Sequence, residues 1–217
     1  AMQNKDIVVK TTELKREIAL GAMYSLLRGK NNNTLMGEMD FTYRKDVMLG
    51  LEKFWNVPKQ KLKLSEILLG NNKQYDKMLQ LLDWFANEGH RNSDQSPESI
   101  AWDVTRYVDV LRDAFYVGYI NLETILLHLQ NAYNISVDHF SSWKEYAEAF
   151  LSYKRYWDNE NMKLVAQDLK HTTGKEYSND EVYENYKKEG NTQIKWLEEA
   201  INTLLTDEKS IWNEVSW

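Results

Sequence analysis

Apolar residues recur at steps of three and four along most of this chain, the spacing that lays them on one face of an α-helix. Leu14, Ile18, Ala22 and Leu26 share a face of a first helix, which Thr12 caps and which runs to about Arg28 before the polar turn Gly29-Lys30-Asn31-Asn32-Asn33. Asp40 to Trp55 reads as a second helix with Val47, Leu51, Phe54 and Trp55 apolar. Pro58 suits the first turn of a third, carrying Leu62, Leu64, Ile67, Leu68 and Leu69 up to Gly70-Asn71-Asn72. A fourth carries Tyr75, Met78, Leu79, Leu82 and Phe85.

The turn-rich stretch Asn87 to Ser96 is the best internal boundary. Ser96-Pro97 then starts a helix through Ile100, Val104, Tyr107 or Val108, Leu111 and Phe115, which Gly118 closes. Asn121 caps the next, with Leu122, Ile125, Leu129 and Ala132. Ser142-Trp143-Lys144-Glu145 is a capping box ahead of Tyr146, Ala149, Phe150 and Tyr153. The pattern weakens after Trp157, with a helix expected over Met162 to Leu169 and a break from His171 to Gly174. Ser178-Asn179-Asp180-Glu181 is a second capping box, and the last long helix carries Ile194, Leu197, Ala200, Ile201, Leu204 and Leu205. Two Trp fall in the tail, Ser210 to Trp217. With no hairpin signal and no fixed repeat, the expectation is all-α: a single compact domain of about eight or nine helices over residues 1–217, with possible subdomains 12–88 and 96–217.

Composition sharpens this picture. Only 2 Pro and 9 Gly in 217 residues favour long helices. The 8 Trp and 13 Tyr are first of all wide rings filling the gaps between helices. A formal charge of −6, with no concentrated basic block, argues against nucleic acid and against a polybasic membrane anchor. Cysteine is absent, which excludes disulfides, thiolate metal sites and Cys nucleophiles and fits a reducing cytoplasm. No run approaches the roughly 18 apolar residues of a membrane span, and Ala1 to Asp6 lacks the layout of a signal peptide.

Chemistry-bearing motifs are few. There is no phosphate-binding glycine loop and no Gly-x-Ser-x-Gly elbow. His90, His128, His139 and His171 are all too far apart in sequence for a helical metal pair, so no metal or cofactor is expected. The carboxylate pairs Glu145/Glu148 and Glu181/Glu184 lack the Glu-x-x-His partner of a di-iron bundle and read as solvated faces. One constellation stands apart: Trp102-Asp103-Val104-Thr105-Arg106, followed by Arg112. Arg106 can lie along the Trp102 indole and pair with Asp103. The plain reading is an ion pair that fixes helix register. The functional one is a polar centre holding an anionic ligand, with Trp102 and Trp143 as walls.

The same residues carry a resemblance. Ala101-Trp102-Asp103…Arg106, Arg112…Gly118-Tyr119-Ile120, Phe140-Ser141-Ser142-Trp143-Lys144-Glu145-Tyr146, Phe150-Leu151…Arg155-Tyr156-Trp157 and Leu204-Leu205…Ser210-Ile211-Trp212…Val215-Ser216-Trp217 resemble a bacterial family of unknown function, the one numbered 1266. Leu20-Gly21-Ala22 and Phe54-Trp55-Asn56-Val57 match it more loosely. Lys154 stands where that family often has Gly, and Ile211 where it often has Pro; both departures touch backbone shape. The resemblance implies a bacterial, soluble, mostly helical protein whose signature holds no nucleophile or metal set.

Two functions are therefore expected of different classes. The first is a non-catalytic protein-interaction module, an accessory or immunity-type factor that meets a basic protein through an acidic, ring-rich face. The alternative is a small anionic-ligand binder or enzyme centred on Asp103, Arg106 and Arg112. Self-association of a helical module is the third, plainer option.

Overall fold

Ser96 and Pro97 start the helix on which the others are laid. The structure, a computed structural model, describes residues 14–27, 41–59, 72–89, 96–173 and 179–217, with residues 27, 41–42, 161–173 and 179–192 described as backbone only. Among the described residues the helices are α1 (Lys15–Ala19), α2 (Ala22–Leu27), α3 (Phe41–Trp55), α4 (Tyr75–Asn87), α5 (Pro97–Val117), α6 (Leu122–His139), α7 (Trp143–Thr173), α8 (Asn179–Thr206) and α9 (Ile211–Glu214), and there is no strand. The fold is all-α.

Helix α5 is the axis. Helices α2, α3, α4, α6 and α7 all pack on it, so it is buried on every side rather than along one stripe. Its ends are built as the sequence suggests. The Ser96 hydroxyl accepts from the Ser99 N–H, and Pro97 occupies the first turn. Gly118 closes it at φ 80°, while the Tyr119 N–H returns to the Ala114 carbonyl at 2.8 Å. The last carbonyls are taken up by neighbours: Arg44 of α3 donates to Val117 O at 2.6 Å, and Asn72 Nδ2 donates to Gly118 O at 3.2 Å. Asn121 caps α6 by accepting from Thr124 N–H. At the start of α7, Ser142 Oγ accepts from Glu145 N–H, and the Glu145 carboxylate reaches back one residue further than a standard capping box, to Ser141 N–H and Oγ.

The structure departs from the sequence pattern in two places. The first helix is broken at Leu20-Gly21 into α1 and α2, and Leu26 ends at 40% exposure instead of sharing the buried face of Ile18 and Ala22. The break is held from outside: Trp212 Nε1 donates to Ala19 O at 2.9 Å, and the Tyr146 hydroxyl donates to Leu20 O at 3.0 Å. Gly21 also lies so near α5 that a Cβ there would meet Val108 Cγ1 at 2.9 Å. The second departure is that α7 runs unbroken through Thr173, so His171 lies inside a helix rather than in a break. The last long helix, α8, runs from Asn179 to Thr206, in keeping with a start at the second capping box. Thr12, the turn at residues 29–33, the expected helix after Pro58 (residues 60–71), residues 90–95 of the internal boundary and Ser178 of the second capping box lie outside the described residues.

The C-terminal segment closes the fold with rings. Trp143 stacks on Trp212 at 5.2 Å and meets Trp217 edge-on at 4.6 Å. Trp217 Nε1 donates to Phe140 O at 2.7 Å, and Trp143 Nε1 donates to Val215 O at 3.2 Å.

Because Val108 is fully buried and β-branched, it has little room to yield. The substitution Gly21→Ala is expected to lower stability by about 1–3 kcal/mol through overpacking. Adding Val108→Ala should return part of that loss, a coupling that chemical denaturation of the two single variants and the double variant measures directly.

Candidate functional site

Two residues that α5 places four apart form the centre. At 100° per residue they are only about 40° apart round the axis, so Arg106 lies against its own helix neighbour Trp102, with Cζ 5.1 Å from the ring centre. Trp55, from the end of α3, also lies against the guanidinium, with Cζ 4.5 Å from its ring centre. Trp55 arrives there because Asn56 adopts φ 55°, which ends α3 and turns buried Val57 back so that its N–H donates to Leu51 O. Behind Trp102 stand Phe150 at 5.5 Å, Tyr153 at 5.6 Å and Trp157 at 5.9 Å, all from α7, with Tyr24 of α2 edge-on at 6.0 Å.

The electrostatics are those of a half-buried cation. Burial pulls the Arg106 guanidinium below its ordinary value, while Asp103 and Asp109 act in the opposite sense. Arg106 Nη1 and Trp102 Nε1 are both closed to solvent and neither makes a hydrogen bond. Such a group costs about 1–3 kcal/mol relative to a satisfied one.

The five residues singled out from sequence are not brought to one place. Trp102, Asp103 and Arg106 belong together. Arg112 does not join them: six residues on, it sits about 120° away round the helix, fully buried, donating to Ser25 Oγ at 2.5 Å. Trp143 belongs to the C-terminal ring cluster, against Tyr146, Trp212 and Trp217. Trp55 was the residue that sequence reasoning left out of the site. Its signal was the pairing of an aromatic residue with an Asn at a helix end, since Asn is a common left-handed stop.

Two further polar pairs are buried in the core. Tyr146 is fully buried, and desolvation drives its hydroxyl far above the ordinary value. Its hydroxyl donates to Leu20 O and lies 2.6 Å from Thr105 Oγ1, which itself donates to Ala101 O at 2.8 Å. On α6, His128 is 4% exposed and its Nδ1 is hydrogen-bonded to the Tyr107 hydroxyl. Burial pushes this imidazole below its ordinary value, partly offset by Asp83. Among the described residues no group of three His, Asp or Glu side chains is placed to hold a metal ion, and no helix is long and apolar enough to cross a membrane.

Fold and site together define an all-α protein built round a buried central helix that carries a stacked arginine with an unsatisfied Nη1. The chain belongs to the family described as "Protein of unknown function (DUF1266)", which matches residues 15–217. Comparison with curated proteins and with solved structures gave no match.

The His128 geometry sets a pH dependence. Because the folded imidazole resists protonation, the unfolded chain binds the extra proton first as pH drops below the ordinary value of 6.5. Stability from this group is whole above that value and declines as pH falls towards the lower folded value. Denaturant midpoints measured from about pH 7.5 to 5.5 should fall, and the slope should be shallower in His128→Gln, whatever that variant's absolute stability.

Proposed function

We propose that this protein acts by binding another protein, as an accessory or immunity-type interaction module, through the ring-lined face around Arg106. The observation that carries this reading is the run of aromatic side chains that begins in the core and ends in solvent. From Arg106 it passes through Trp102 and Tyr153 to Tyr156, which is 56% exposed and 5.6 Å from Tyr153. Trp55 also lies against Arg106, and its chain neighbour Phe54 is 70% exposed. Large rings held on rigid helices lose little freedom when a partner covers them, which is why Tyr and Trp are enriched among residues that dominate interface energies. The net charge of −6 favours a basic partner, with an association that weakens as salt rises.

The test is a capture experiment at low and high salt, followed by reconstitution with the purified, identified partner. The double variant Phe54→Ser, Tyr156→Ser removes two exposed rings and should change stability by no more than about 0.5 kcal/mol per site. Partner affinity should drop at least about tenfold, equivalent to about 1.4 kcal/mol. Retention of full affinity by the folded double variant would sink this assignment of the face.

A further inference from the structure

We infer that Arg106 and Trp102 form a binding site for a neutral carbonyl group, of the kind carried by a carboxamide on a flat apolar body. The inference goes beyond the interaction face and stands or falls separately from it.

The donors come first. Arg106 Nη1 and Trp102 Nε1 are buried N–H groups without a hydrogen-bond partner, and they belong to one stacked pair whose Cζ-to-ring distance is 5.1 Å. Nearly all buried N–H groups in folded proteins are satisfied, so two orphans on adjacent turns of one helix mark a place short of acceptors. Both side chains are donors only. What they lack is an oxygen, and a carbonyl oxygen has two lone pairs to offer.

The charge of that oxygen follows from the neighbours. Arg106 is not a bare cation, because Asp103 and Asp109 both act on it. A carboxylate or phosphate entering here would meet the Asp103 and Asp109 charges as well as the guanidinium, in a poorly solvated place. A neutral acceptor takes the same hydrogen bonds without that repulsion. The shape of the ligand follows from the walls. Trp55 and Trp102 both lie against the guanidinium, at 4.5 and 5.1 Å, and a flat ring suits the aromatic surroundings of Trp102. Arg106 itself is only partly buried, and Tyr156 stands exposed beside Tyr153 at the outer end of the same run of rings.

The test uses three probes with one ring and different heads: benzamide, benzoate and phenyl phosphate. They are titrated into the 217-residue, nitrogen-15-labelled protein while the indole N–H signals of its 8 tryptophans are followed. Loss of one signal in Trp102→Phe assigns Trp102, and through-bond assignment replaces this if that variant does not fold. Benzamide is expected to move the Trp102 signal saturably, with benzoate at least tenfold weaker and phenyl phosphate weaker still. Arg106→Lys, which keeps the charge but not the planar edge, should weaken benzamide at least tenfold. Benzoate or phenyl phosphate binding as tightly as benzamide would overturn the neutral-acceptor assignment. A Trp102 signal that none of the probes moves would overturn the site altogether and leave an internal water as the acceptor. Neither result depends on whether the variant lacking Phe54 and Tyr156 still holds its protein partner.

Discussion

The constraint on which this structure rests is the burial, along most of its length, of a helix that carries charge. Helix α5 bears Asp103, Arg106, Asp109, Arg112 and Asp113 inside a shell of five other helices. Isolated, any of these ions would cost several kcal/mol to remove from water. Alternation of sign at every third position from Asp103 to Arg112 keeps each ion within a turn of an opposite charge. A spacing of three also lags the helical turn, so the charges wind round the axis instead of forming one stripe. Each therefore faces a different neighbour: Arg106 meets Trp55 of α3, and Arg112 meets Ser25 of α2. The charges thus fix which helix packs on which side of α5, a role for which buried polar groups are better suited than leucines.

The same logic explains the break at Leu20-Gly21. A continuous first helix would keep its carbonyls in its own ladder. Here the carbonyls of Ala19 and Leu20 accept from Trp212 and Tyr146, residues that arrive from the far end of the chain and from α7. Gly21 lets this joint approach Val108 on α5. The motifs Leu20-Gly21-Ala22, Tyr146 and Trp212 are therefore parts of one knot, in which side chains act as donors to backbone that the break has exposed. Trp143 and Trp217 extend it by tying the start of α7 to the C-terminal segment.

Much of this was legible in the sequence because it is local. The Ser96-Pro97 start, the Gly118 stop and the Asn121 cap depend on residues within one turn, and each stands where the pattern puts it. What the sequence hid was decided by contacts made at long range. Nothing near Gly21 announces a joint whose acceptors are filled by residues 146 and 212. Likewise His171 and its neighbours look like a break, yet α7 runs through them. In the site, the pairing of Trp102 with Arg106 was readable from a spacing of four. The position of Arg112 on another side of the helix follows from a spacing of six, but which neighbour it would meet does not. Trp55 comes from another helix and could be placed only by the fold.

Most of the polar side chains of α5 for which partners can be named are spent on holding the fold. Thr105 meets Tyr146, Arg112 serves Ser25, and Tyr107 is bonded to His128. Arg106 breaks that pattern: two indoles lie against it, yet its Nη1 is unsatisfied, and Trp102 beside it repeats the omission. Methionine or leucine would fill the space beside those indoles without orphaned donors. In the site proposed above, the arginine is the donor an acceptor would meet. The energy it forfeits in the folded chain is what an incoming acceptor would recover.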